Sequence, residues 1–164
     1  MMDENQYKQH YLYPADIFVS TEPHLINTIL GSCIAVCMFD SVARFGGMNH
    51  FMLPVWNGQG LASPKFGNIA IEKLIDSLVQ KGAKRERLTA KVFGGGEVLE
   101  TSSGAFRIGE RNAELAFQVL DSLKIKIVAS HIGGKFGRKI QLNTHTFEVR
   151  MKIIEKTVCS VPQQ

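Results

Sequence analysis

No apolar run in this sequence approaches the length needed to cross a bilayer; the longest, such as Ile34 to Phe39, are the length of a strand. The opening stretch MMDENQYKQHYLYPADIFVS starts polar and acidic and lacks the apolar core of an export signal. A cytoplasmic protein without membrane insertion is therefore expected. Cysteine is sparse: Cys33, Cys37 and Cys159 make an odd number without dense spacing, which argues against a disulfide framework and fits a reducing compartment. A tight basic stripe interleaved with aromatics is also missing. The formal charge of +4 is scattered over segments such as KGAKRERL and GKFGRK, so no nucleic-acid partner is expected. Repeats and low-complexity segments are absent. So are G-x-x-x-x-G-K-[ST] and a G-x-G-x-x-G leading into a helix. The glycine clusters FGGGE and HIGGKFGRK then read as tight turns at strand ends, with phosphate binding through backbone N–H groups as the alternative.

What is present describes an ordinary globular protein. The 164 residues, 45% hydrophobic and 21% charged, suffice for one domain with a full core. Residues 1–15 read as a flexible arm, 16–158 as a single domain and 159–164 as a tail. DIFVS, CIAVCMFD, GGMNHFMLP, RLTAKVFGGG and IKIVASHIGG read as strands, and KFGRKIQLNTHTFEVRMKI as a strand pair. Apolar positions 70, 71, 74, 75, 78 and 79 predict an amphipathic helix that Gly82 stops. Positions 113, 115, 116, 117, 119, 120 and 123 predict a second. Strands interleaved with helices give an α+β layered sandwich, a mixed β-sheet with at least two helices packed against it.

The segment LGSCIAVCMF places a Gly-Ser turn and a cysteine ahead of an apolar strand, and His50 follows in GGMNHFMLP. Along the first strand Cys33, Ala35 and Cys37 share one face, with Ile34, Val36 and Met38 on the other. A hairpin symmetric about Ser41 and Val42 would pair residue 40 with 43 and Cys33 with His50, with Cβ atoms about 4.5–5.5 Å apart. A slip of one residue would turn His50 to the opposite face. Such a pair suits nucleophilic chemistry. An imidazolium stabilises a thiolate and returns its proton to a leaving amine, while the turn at Gly31 and Ser32 frees N–H groups for an oxyanion.

The competing reading is inert core, where cysteines usually lie, and Cys37 fits it. A metal site from Cys33, Cys37, His50 and His24 lacks the knuckle turn of a structural zinc site, so no metal is expected. Glu110 sits at the positive end of the second helix, a structural role. His131 reads as a packed core histidine.

Six segments, LGSCIAVCMFD, GGMNHFMLP, KFGNIAIEKLI, AKVFGGGE, IGERNAELAFQVL and HIGGKFGRKI, resemble in this order the CheD family of chemoreceptor glutamine deamidases. The resemblance runs from about Asp16 to Ile153. It implies conversion of glutamine side chains of methyl-accepting chemoreceptors to glutamate, methyl-ester hydrolysis as an attributed further activity, and no cofactor. It implies Cys33 as nucleophile and His50 as general base. The third member is a threonine shortly before the cysteine, which in INTILGSC is Thr28, with Asn27 as the alternative. It also implies a CheC-type phosphatase as a partner. The loop VWNGQGLASPKF, with Trp56, would border a groove for a receptor helix. A non-catalytic adaptor binding receptors or that phosphatase is the competing function.

Overall fold

The structure, a computed structural model, describes residues 3–98 and 107–155. Cys159, the boundary at 158 and the tail 159–164 lie outside them. Strands β1 (Lys8–Tyr11), β2 (Ile17–Ser20), β3 (His24–Leu30), β4 (Ile34–Asp40) and β5 (Phe45–Asn49) precede helix α1 (Gly67–Gln80). Strand β6 (Leu88–Gly94), helix α2 (Ile108–Ser122) and strands β7 (Lys126–Ile132), β8 (Gly137–Asn143) and β9 (Val149–Ile154) follow. One sheet has the order β1-β3-β8-β9 and the other β2-β5-β4-β6-β7. Both helices pack on the second sheet, whose other face meets the first sheet, so the α+β sandwich has three layers. Among the described residues no helix is long and apolar enough to cross a membrane.

The central strand β4 is buried along its whole length because it serves two cores. Ile34, Val36 and Met38 join Ile71, Leu74, Ile75 and Leu120 under the helices. Ala35, Cys37 and Phe39 face Ile26, Leu30, Ile140 and Leu142 between the sheets. The alternation expected along this strand is thus realised. Helix α1 buries Ala70, Ile71, Leu74, Ile75 and Leu78, while Val79 is exposed. Gly82, at φ +113°, ends the helix, and the N–H groups of Gly82 and Ala83 return to the carbonyls of Val79 and Leu78.

Three expectations need correction. Lys8–Tyr11, within the supposed arm, forms an edge strand paired in parallel with β3. His131 is not in the core: β7 is a largely exposed edge strand, and the His131 Nδ1 accepts a 2.9 Å bond from Arg138 Nε. The β4–β5 register also differs, with Asp40 opposite Phe45, Cys37 opposite Met48, and a bridge from Ile34 to Phe51.

The cause of that difference is a four-residue turn in place of a two-residue one. The Asp40 carboxylate accepts the N–H groups of Val42 and Ala43 at 2.9 and 3.0 Å. Arg44 adopts φ +60° and donates its N–H to the Asp40 carbonyl at 2.7 Å. Ala35, not Cys33, therefore stands opposite His50. A shift of two residues preserves side-chain parity, so Cys33 and His50 stay on one sheet face as diagonal neighbours.

Candidate active site

Residues 31–33 carry the chain from β3 in one sheet to β4 in the other, and the candidate site forms at this crossing. Ile26, Thr28 and Leu30 point inward from β3, which brings the Thr28 hydroxyl between the sheets. His50 follows the last residue of β5 and is 2% exposed. Its backbone is held on both sides: its carbonyl accepts the Ala15 N–H at 2.8 Å, and Phe51 bridges to Ile34.

The Thr28 Oγ1 lies 2.8 Å from His50 Nδ1 and 2.7 Å from the Leu12 carbonyl oxygen. A carbonyl only accepts, and a hydroxyl has one proton to give. Thr28 therefore donates to Leu12 and accepts from His50, which places the imidazole proton on Nδ1. Nε2 is left as a bare lone pair, buried and without a hydrogen-bond partner. Asn27 points elsewhere, toward Gln9 and Gln141. Of the two candidates for the third position, only Thr28 reaches the imidazole.

Burial disfavours charge on both candidate groups, Cys33 and His50. It lowers the His50 pKa to about 4, against the opposing pull of the Leu12 backbone and the charge of Asp16. It raises the thiol of half-buried Cys33, with the Cys33 N–H acting in the opposite sense. Burial thus works against the thiolate–imidazolium pairing at both groups. Cys37, fully buried, has its thiol pushed up to about 12 by desolvation and is core, as expected.

The turn bearing Cys33 is braced by a motif that sequence reading left as a generic glycine turn. The N–H groups of Gly95 and Gly96 donate to the carbonyls of Cys33 and Gly31, each at 2.9 Å. Gly94 has φ +114°, and a Cβ there would collide with the Cys33 carbonyl. The second glycine cluster supports the first: Gly133 N–H donates to the Gly94 carbonyl at 3.0 Å, and buried Arg138 donates through Nη2 to the Gly133 carbonyl. Leu12 was also missed. A backbone carbonyl leaves no trace in residue type, and only the parallel pairing of β1 with β3 brings it to Thr28. Among the described residues no three His, Cys, Asp or Glu side chains are grouped as metal ligands.

A family model described as "CheD chemotactic sensory transduction" matches residues 52–153. The chain belongs to the CheD family. A Trichlorobacter lovleyi protein named "Probable chemoreceptor glutamine deamidase CheD" is 51% identical over 144 residues, 88% of this chain and 89% of its own length. A Sulfurimonas denitrificans protein of the same name is 44% identical over 153 residues, 93% of this chain and 98% of its own length. At that coverage the aligned stretch includes residues 28 to 50 wherever it begins, so Thr28, Cys33 and His50 of this CheD family member fall inside it.

Proposed function

We propose that the protein is a cysteine-dependent glutamine deamidase that converts chemoreceptor glutamine side chains to glutamate in the cytoplasm during chemotactic adaptation. The observation that carries this reading is the pair of contacts at the Thr28 hydroxyl, to the Leu12 carbonyl and to His50 Nδ1, which leaves Nε2 as the ring nitrogen without a partner and available as a base. Relatives named as chemoreceptor glutamine deamidases supply the substrate class.

In this mechanism His50 Nε2 takes the Cys33 proton as the sulfur attacks the carboxamide carbon of the glutamine. The carbonyl electron pair moves to oxygen, where N–H groups of the Ser32–Cys33 turn receive it. Collapse of the tetrahedral species breaks the C–N bond, and the proton on Nε2 leaves with ammonia. A glutamyl thioester remains. Water then attacks the thioester carbon and gives a proton to Nε2. The C–S bond breaks, and the proton returns to sulfur. One water is consumed, and one ammonia and one glutamate are formed.

Burial that disfavours charge on both groups suits this order of events, because charge separates only when the enclosed substrate carbonyl is there to accept it. Each turnover adds a negative charge to the receptor helix. A CheC-type phosphatase docking beside the site is proposed as a second partner on family resemblance alone. The decisive experiment incubates wild type and Cys33→Ala with receptor signalling fragments and maps Gln-to-Glu conversion by mass spectrometry. Conversion by wild type alone supports the enzyme; failure of both with intact receptor binding supports a non-catalytic adaptor.

A further inference from the structure

Asn112 lies on the buried face of α2 among Ala113, Leu115 and Ala116, and is itself fully buried. Its Nδ2 donates to the carbonyl of Ser32 and to the carbonyl of Met52, each at 3.0 Å. Both partners are acceptors only, so the amide orientation is fixed by chemistry. Ser32 immediately precedes Cys33, and Met52 lies two residues beyond His50. One carboxamide nitrogen thus grips the segments that bear the sulfur and the imidazole.

The location of this grip matters. Between the two segments the last ladder contact is the Ile34–Phe51 bridge, with bonds of 3.1 and 2.9 Å. Past it the strands fork, because the N–H groups of Met52 and Leu53 both turn to the Lys65 carbonyl, at 2.8 and 2.9 Å. Asn112 spans the fork where backbone pairing has ended. An aliphatic side chain would fill the same space but bind neither carbonyl. Asn112 also leaves its own Oδ1 buried without a partner, a cost that a helix residue selected for packing alone would avoid.

We propose that Asn112 is a positioning residue that sets the spacing between Cys33 and His50 by tying the Ser32 and Met52 carbonyls to one nitrogen. This rests on the reading of Cys33 as nucleophile and His50 as base. Misplacement of reacting groups by about 1 Å costs on the order of 100-fold in rate.

The test compares full-length wild type, Asn112→Ala, His50→Gln and the double variant by two readouts, receptor-fragment deamidation and the iodoacetamide alkylation rate of Cys33. Asn112→Ala is expected to lower kcat about 10- to 100-fold with KM changed less than about threefold. It should slow alkylation in the wild-type background and have no further effect in the His50→Gln background, because the pairing it supports is already gone. Leu120→Ala, a core truncation farther along the same helix, serves as the stability control. If Asn112→Ala fails to fold, Asn112→Ser replaces it, with the same expectations at a smaller size.

Wild-type kcat in a folded Asn112 variant would overturn the proposal. So would equal loss in Leu120→Ala at matched Tm, or a full additional effect of the Asn112 change in the His50→Gln background. Cys33→Ala is assayed alongside. Retained deamidation there would refute the nucleophile assignment itself, whereas a dead Cys33→Ala beside a fully active Asn112→Ala refutes only the positioning role.

Discussion

The hydroxyl of Thr28 sits between the Leu12 carbonyl, 2.7 Å away, and His50 Nδ1, 2.8 Å away, and passes a single hydrogen-bond direction from the ring to the backbone. Replacing Thr28 by valine keeps the shape and removes the relay. The buried Nδ1–H then loses its hydroxyl acceptor, the ring is freer to turn, and the Nε2–H tautomer, which offers no base to the thiol, becomes populated. Thr28→Val is expected to lower kcat for deamidation about 10- to 100-fold, with KM nearly unchanged, and to cost about 1–3 kcal/mol of stability. Thr28→Ser should recover most of the rate. Steady-state kinetics with receptor fragments would check the pair, and a valine variant at full activity would rule out the relay.

The buried imidazole sets a pH dependence with a definite sign. The folded His50 has a pKa of about 4, against an unfolded value of about 6.5. Between these values the unfolded chain binds a proton that the folded chain does not, so stability rises with pH across this window. The contribution is complete above about pH 6.5 and is lost as pH falls toward 4, on the order of 3 kcal/mol in all. Urea titrations of wild type and His50→Gln at several pH values would test this, with the glutamine variant showing the flatter profile. Catalysis should persist well below pH 6 and fail near pH 4, where the base becomes protonated. An activity midpoint near 6.5 would contradict the buried neutral imidazole.

Much of this arrangement was legible in the residues, for reasons that also explain the misses. Alternation along CIAVCMFD assigned Cys33, Ala35 and Cys37 to one face because a strand buried on both sides still obeys period two. Position 79 fits the helical period, yet Val79 is exposed, outside the buried face of α1 made by Ala70, Ile71, Leu74, Ile75 and Leu78. The register slipped by two because Asp40 binds its own turn, a choice made by one carboxylate that apolar patterning does not encode. Parity saved the Cys33–His50 relationship. The Leu12 carbonyl and the glycine brace under Cys33 were hidden because both act through backbone atoms brought in from distant segments.

That carboxylate carries its own prediction. Asp40 is fully buried, and desolvation alone would raise its pKa; Arg87 and the N–H groups of Ala43, Lys84 and Val42 overcome this and hold it at about 2. Arg87 Nη2 lies 2.8 Å away and the Lys84 N–H 2.9 Å, so one side chain joins the β4–β5 turn to the approach to β6. A folded pKa below the unfolded one means stability present above about pH 4 and lost as pH falls through 2. Asp40→Asn keeps the size but removes the charge that Arg87 faces. It should destabilise by about 2–4 kcal/mol, read from urea midpoints at pH 7, and flatten the acid limb of the stability profile. An unchanged midpoint would mean the turn is held by other contacts.

Two glycines with nearly the same backbone angle separate local strain from site support. Gly82 has φ +113° and Gly94 φ +114°, so an alanine at either adopts a conformation that L-residues disfavour. At Gly82 a Cβ meets nothing within 4 Å, and Gly82→Ala should cost only about 1 kcal/mol and leave catalysis intact. At Gly94 the same Cβ strikes the Cys33 carbonyl, the atom that Gly95 N–H holds at 2.9 Å. Relieving that clash moves the Cys33 turn off its brace, so Gly94→Ala should lose about 100-fold or more in kcat beyond any effect of unfolding. Side-by-side measurement of Tm and deamidation rate tests the contrast. If the two variants lose activity equally once corrected for the folded fraction, the glycine run is only a strand end, and the position of the sulfur is fixed by something else.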